Sequence, residues 1–370
     1  AEWSQLAISI YLFFALVLWE SAVTLFYIAH QSIGVNLFLT TSERAEVEVI
    51  DNYIGLLAVF GSSIPVMILT MDVTNTTMII FFTVVALLAG VLMYISVPQI
   101  KEKPEFYEKQ EEDSLSFKDF MAATWGLLKD RSFLLFFLTF FFLQSIVNNY
   151  LLGYTYLYDN VILSEGLWSG LPDILIGIGA AISFPISYRW IKKFGTKTVL
   201  LRMMAISMIA YVALTFIPAT SGESLNMVSI FGMDVPGEFS YWAATLLYFA
   251  IYFGFVGVFM TNTPIARRLI DHLEIKTGHR RPGTISGIIG VLLTPGNAVL
   301  VFFYTQIISA FGYDGATKVQ TLTSQWGIRI ATGIMPAVLI LLGLFFLSRY
   351  PIDKKLEDEI EDQILEIHAD

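Results

Sequence analysis

The chain contains no cysteine. Disulfides, thiolate metal sites and cysteine nucleophiles are therefore excluded. Charge is also scarce: 15% of the 370 residues are Asp, Glu, Lys or Arg, where a soluble domain carries nearer a quarter. The four histidines, His30, His272, His279 and His368, are scattered and lack zinc-type spacing, so no metal centre and no cofactor are expected. There is no nucleophile–base pair and no nucleotide-binding loop, which argues against an enzyme. The net charge of −10 gathers largely in Lys109–Asp113 and in the tail from Asp353 to Asp370, and neither is a nucleic-acid footprint.

What the chain has instead is long apolar runs. It is 55% hydrophobic with a mean hydropathy of +0.66, and a bilayer crossing needs about 20 apolar residues. Nine such runs are present, at Gln5–Gln31, Asn52–Leu69, Met78–Val97, Phe133–Tyr156, Pro172–Ile191, Thr198–Phe216, Tyr241–Ile265, Gly283–Phe311 and Ile328–Leu347. The pattern predicts an all-α polytopic membrane protein. A long polar interval, Gln99–Arg131, separates three spans from six. The expected organisation is a partial N-terminal bundle over residues 1–98, a central loop over 99–131, a six-helix bundle over 132–349 and an acidic tail over 350–370.

Charge then orients the spans. With the polar interval in the cytoplasm, Lys318 and Arg329 alone fall outside, which leaves 20 of the 22 basic residues inside. Ala1 is then outside and Asp370 inside. Three spans before the interval and six after it suggest a six-plus-six carrier whose first three helices precede Ala1; the alternative is a nine-span protein. Within the interval, Ser116 is placed to cap a helix that carries Phe117, Met121, Trp125 and Leu128 on one face, suited to the inner membrane surface. In the tail, Leu356, Ile360, Ile364 and Ile367 form a stripe on an acidic helix that reads as solvated.

Several motifs resemble the glycoside–pentoside–hexuronide:cation symporters, the melibiose permease family of the major facilitator superfamily. W-E-S-A-V-T-L-F-Y-I-A-H-Q-S-I-G-V-N-L-F-L-T-T-S-E-R, Trp19–Arg44, is similar to the family's fourth helix and the loop after it. I-D-H-L-E-I-K-T-G-H-R-R-P-G-T, Ile270–Thr284, is similar to the loop between helices ten and eleven. K-F-G-T-K-T-V, Lys193–Val199, resembles the loop between helices eight and nine, and R-Y-P-I-D-K-K the exit of the final helix. The resemblance covers the chain as helices four to twelve and implies the fold and alternating access. A cell or inner membrane and a monomeric carrier are expected, with the C-terminus cytoplasmic from the charge pattern. The resemblance also implies a cytoplasmic gate at Arg44, Asp271, Glu274 and Arg280. Opposite charges at two inner mouths attract when closed and hydrate separately when open; exposed pairs of this kind contribute about 1 kcal/mol. Arg267 and Arg268 read as topology-setting loop residues. Neutral residues stand where the family has its sugar-binding charges: Tyr27, Asn52 and Thr294.

The membrane interior holds further candidates for solute contact. Glu20 lies near the bilayer middle, where an ionisable group suggests function and could carry a proton. Tyr27 and Gln31 share its helix face with Thr24. Opposite them stand Gln144, Asn148 and Asn149, with Tyr150 and Tyr154 just beyond. Asn262 lies in the T-N-T-P that closes the seventh span, and Thr294 and Asn297 in the T-P-G-N of the eighth. Pro295 and Gly296 there predict a broken helix whose freed backbone faces solute, while Gly283, Gly287 and Gly290 predict close helix packing. The expected function is secondary transport of a small polar solute, such as a sugar, glycoside or sugar acid, coupled to H+ or Na+ or uncoupled. The rivals are a lysolipid or other amphiphile carrier and a non-transporting sensor on the same fold.

Overall fold

A computed structural model describes residues 5–69, 75–96, 117–165, 167–220, 222, 224–230, 233–278 and 280–368. Most of the polar interval, including the expected Ser116 cap, lies outside the described residues. Three helices precede it: α1 (Gln5–Leu37), α2 (Thr41–Leu69) and α3 (Asn75–Ser96). After it come α4 (Phe117–Lys129), α5 (Arg131–Asn148), α6 (Tyr150–Asn160), α7 (Leu167–Phe194) and α8 (Thr196–Thr215). These are followed by α9 (Phe239–Thr277), α10 (Pro282–Ala310), α11 (Leu322–Arg329), α12 (Met335–Arg349) and α13 (Lys354–Ile367). Among the described residues, six helical segments between Arg131 and Arg349 are long and apolar enough to cross a membrane, with α5–α6 and α11–α12 each forming one. They fall on the six later spans expected from the sequence.

Among the described residues, the fold is helical apart from one hairpin that the apolar pattern did not foretell. Between α8 and α9, β1 (Met227–Ile230) pairs antiparallel with β2 (Met233–Pro236), in the register Met227↔Pro236 to Ile230↔Met233. The hairpin marks one end of the bundle. The opposite, basic end carries Arg44, Arg280 and the tail helix.

Helix α9 is the central element. It packs along α8 and α7 and against α5, while α12 packs on α5 and α8, and α10 on α5. Its crossing with α8 is close because of Gly254 and Gly257. A Cβ at Gly254 would lie 2.6 Å from the Met203 carbonyl, and one at Gly257 would lie 2.8 Å from the Met203 Cβ. The early helices dock on this set, α1 against α10 and α2 against α7 and α9. Tyr53 of α2 helps to fix that contact by donating to the Ala181 carbonyl of α7 at 2.8 Å.

Several sequence expectations change. α9 does not end at Pro264: it runs on to Thr277, so Asp271 and Glu274 sit on a helix rather than in a loop. α10 is likewise continuous through Pro295. A membrane helix tolerates the bond a proline removes when its neighbours support it. Gly296 is instead a close approach, where a Cβ would lie 2.9 Å from the Phe141 carbonyl of α5. A Cβ at Gly283 or Gly290 would have no described atom of another helix within 4 Å. The break falls between α5 and α6, at Asn149, with φ −115° and ψ 15°. A π-helical turn, Ile330–Ile334, joins α11 to α12.

The ends of the helices explain how the basic end is assembled. Asp130 caps α5, accepting from the Ser132 and Phe133 amides at 2.8 and 3.1 Å, and pairs with Lys276 of α9 at 2.5 Å. Burial opposes the Asp130 charge, but Lys276 and the two amides outweigh it and hold the carboxyl below its usual range. α9 ends at Gly278, whose φ of 74° is the left-handed cap that suits glycine. That turn brings Arg280 back over Asp271 and Glu274. In α4, the exposed Met121 and Trp125 share one helix face with Leu128, which packs partly against the bundle.

The tail is not solvated. Ile360 and Ile364 of α13 are buried, and the helix lies against α9 and α8. It rests on the turn at Gly195, where φ is 78° and a Cβ would lie 2.9 Å from the Lys354 Cβ. Buried Glu357 accepts from the Thr196 amide and hydroxyl at 3.4 and 3.3 Å. Burial pushes that carboxyl up against the pull of Arg268. The acidic face that looked like a solvated surface finds arginine and threonine partners instead.

Candidate functional site

Two polar clusters lie among the apolar helices. The first forms around the break at Asn149. There the α5 ladder stops, and the Asn149 side-chain amide donates to the Ser145 carbonyl at 2.9 Å. The same group reaches the Asn297 Oδ1 of α10 at 3.4 Å, as does the Asn148 amide. Gln144 donates to Asn148 at 3.0 Å and accepts from Asn262 of α9 at 3.4 Å. Three helices thus converge on five carboxamides, each a paired donor and acceptor. Several contacts are long and Asn148 is exposed, so the set retains capacity for an outside partner. The structure therefore brings Asn148, Asn149, Asn262 and Asn297 together. Thr294 is not among them; its hydroxyl donates to the Gly290 carbonyl of its own helix at 2.9 Å. Glu20, Tyr27 and Gln31 lie on α1, and their side chains lie outside what the structure describes.

Near these amides is an aromatic wall. The Tyr150 hydroxyl donates to Asp173 of α7 at 2.9 Å, and its ring stands edge-on to Tyr252 at 5.4 Å. Tyr252 also lines a cavity of about 200 Å³ with Asn52, Gly55, Leu56, Ala180, Phe184 and Phe259, between α2 and the later helices. Asp173 and Tyr252 were missed in the sequence. The signal for Asp173 was there, as a lone acid in an apolar run; Tyr252 carried none.

The second cluster closes the basic end. Arg44 of α2 lies 2.7 Å from Asp271 of α9, a close ion pair in which the residues are 1% and 0% exposed. Asp271 is shared, with Arg268 at 3.5 Å and Arg280 at 3.4 Å. Arg280 also pairs with Glu274 and reaches α1, donating to Asn36 at 2.9 Å and to the Val35 carbonyl at 3.0 Å. A cation at the carboxyl end of a helix is favoured by the helix dipole. Arg268 crosses to the Thr41 hydroxyl at 2.7 Å. Arg267 crosses too, its guanidinium against Gly34 of α1 and 4.0 Å from Glu48 of α2. Every one of the four arginines therefore joins an early helix to a later one. Arg267 and Arg268 belong to the cluster, at 4% and 2% exposure, and are not loop residues that merely set topology. The cluster is also not the exposed set of pairs expected from the sequence. Losing one partner of a buried pair costs ~3–5 kcal/mol, against about 1 kcal/mol for an exposed one.

The tail completes this cluster. Glu361 of α13 accepts from Arg268 at 2.7 Å and from the Thr41 amide and hydroxyl at 2.8 and 2.7 Å, so one carboxylate bridges α2 and α9. His368 meets Glu274 at 3.1 Å. Hydrogen bonds to charged groups contribute ~1.5–3 kcal/mol each. Glu361→Gln is accordingly expected to loosen α13, giving roughly tenfold faster tryptic cleavage at Lys354 and Lys355. Cleavage at the wild-type rate would show that Glu361 does not hold the tail.

This chain belongs to the MFS/sugar transport protein family, whose model matches residues 1–354. It is similar to a curated protein of Bacillus subtilis (strain 168), the uncharacterized symporter YnaJ, at 25% identity over 227 residues. That match covers 60% of this chain and 42% of the relative, so the chain spans under half the length of the curated protein it matches.

Proposed function

We propose that the chain serves secondary transport, moving a small polar solute by alternating access. The carboxamide cluster carries the reading. It sits where an early-helix cavity, a broken helix and an aromatic wall meet, and carboxamides with an aromatic face suit hydroxyl-rich solutes such as sugars, glycosides or sugar acids. Glu20, Tyr27, Gln31, Asn148, Asn149, Asn262, Thr294 and Asn297 are the proposed solute contacts. Arg44, Asp271, Glu274 and Arg280 are the proposed gate, drawn shut. The basic end faces the cytoplasm, since 20 of 22 basic residues then lie inside. H+ or Na+ is the proposed coupling ion, and family membership together with the symporter relative supports the class.

Uptake by the complete protein in proteoliposomes, from a panel of labelled hexosides and hexuronates, tests the reading. Asn149→Ala and Asn297→Ala each remove hydrogen bonds that contribute about 1 kcal/mol. Half-saturation should rise roughly fivefold for any panel member transported. Uptake indifferent to both substitutions would remove the cluster from the solute path.

One observation favours a second reading, an amphiphile carrier. A cleft of about 380 Å³ lies between α5, α10 and α12, lined largely by apolar side chains such as Phe141, Phe142, Val299, Phe303, Ile334 and Val338. Competition of uptake by a lysolipid but by no sugar would favour it.

A further inference from the structure

Glu48 takes no part in the ion pairs around Asp271, yet it is 4% exposed. It lies in the first two turns of α2, ahead of the apolar run that begins at Asn52. From α9, the Arg267 guanidinium stands 4.0 Å away and the Thr263 hydroxyl is a hydrogen-bond partner. On α2 itself Asp51 is of like sign, and Arg44, one turn back, is held by Asp271 at 2.7 Å. α1 presents Gly34, against which the Arg267 guanidinium packs. One turn along α2, Asn52 donates to the Glu48 carbonyl at 2.7 Å and lines the 200 Å³ cavity. A single carboxyl is thus enclosed at the seam between early and later helices, beneath the cavity and beside the charge cluster. Arg267, the cation facing it from α9, stands at the limit of pairing distance.

We propose that Glu48 is a proton-binding site that couples closure of the basic end to protonation. The proposal rests on reading that end as a mouth that opens and closes. When the mouth closes, α9 buries the carboxyl, which takes up a proton from the solution at the basic end. When it opens, the carboxyl is hydrated and the same proton returns to that solution. Burial is the main force, opposed by Arg267 and assisted by Asp51, and it raises the closed-state carboxyl to about 7. The sign follows from linkage. The closed form binds the proton more tightly than the open form, so acid favours closure. That preference is complete below the ordinary carboxylate range and is lost as pH rises through about 7.

The absence of native cysteine makes the test direct. Ala45 is 0% exposed in the seam between α2 and the later helices, and Val35 of α1 is 1% exposed. Ala45→Cys and, separately, Val35→Cys report opening through their labelling by a hydrophilic maleimide, with the full chain in nanodiscs. An exposed Glu43→Cys reference corrects for thiolate chemistry. Relative to that reference, labelling should rise about tenfold from pH 6 to pH 8.5, the span of one proton over that interval. Glu48→Gln should hold labelling at the low acid level throughout. Asp51→Asn should keep the response with its midpoint moved to lower pH. A wild-type response that is flat, or one that survives in Glu48→Gln, overturns the proposal. Failure of the mouth itself reads differently: Asp271→Asn would then leave both cysteines protected at every pH.

Discussion

Replacing Asp271 by asparagine is expected to open the basic end of the bundle. One carboxylate serves Arg44 at 2.7 Å, Arg280 at 3.4 Å and Arg268 at 3.5 Å, and it is fully buried. Asparagine keeps the shape and removes the charge, which leaves three guanidiniums facing one another. In the open form those arginines reach water and the loss is small, so the penalty falls on the closed form alone. At ~3–5 kcal/mol for a broken buried pair, the closed-to-open ratio falls by roughly a hundredfold to several thousandfold. Labelling of a cysteine at Ala45 or Val35 should rise by a similar factor until the open form predominates. Labelling within about twofold of the parent would mean that the cluster is structural and does not control access.

The second large effect lies in the crossing of α8 and α9. Ser207 donates to the Ile251 carbonyl at 2.5 Å there, and a Cβ at Gly254 would sit 2.6 Å from the Met203 carbonyl. The obstacle is backbone, which cannot step aside as a flexible side chain can. Gly254→Ala is expected to cost about 1–3 kcal/mol through overpacking. Gly254→Leu should go further and leave little folded protein, because α9 organises the rest. Thermal unfolding in detergent checks this. Both variants melting with the parent would show that the crossing is looser than the geometry requires.

The order of these effects bears on what a linear reading can reach. The six later spans were legible because an apolar run of bilayer length has one economical solution. The basic end was legible because the arginines and lysines alternate with those runs. Asn148, Asn149, Asn262 and Asn297 could be picked out as polar groups in apolar surroundings, and they do converge. The break at Asn149 was misplaced to Pro295 because proline is the louder local signal, while asparagine's readiness to leave a helix is quieter. The extension of α9 and the docking of α13 were invisible for a different reason. Both depend on polar and charged groups that meet only after folding: Thr41 and Glu361 are 320 positions apart, and Arg44 and Asp271 more than 200. In isolation, I-D-H-L-E-I-K-T and L-E-D-E-I-E-D-Q look like solvated loop and solvated helix. Pairing across the seam turns each into buried structure. Glu48 escaped notice for the same reason, since nothing local marks it as enclosed.

The central claim is a two-ended carrier with its charged mouth in the cytoplasm, and single cysteines at Asp234 and Lys193 test it most directly. Asp234 lies in β2 at the hairpin end. Lys193 lies in the last turn of α7, a helix of 28 residues and so about 42 Å long, whose other end adjoins the start of α9. An impermeant maleimide applied to intact cells should label Asp234→Cys and leave Lys193→Cys unlabelled until the membrane is permeabilised. Labelling of both from the same side would contradict the account.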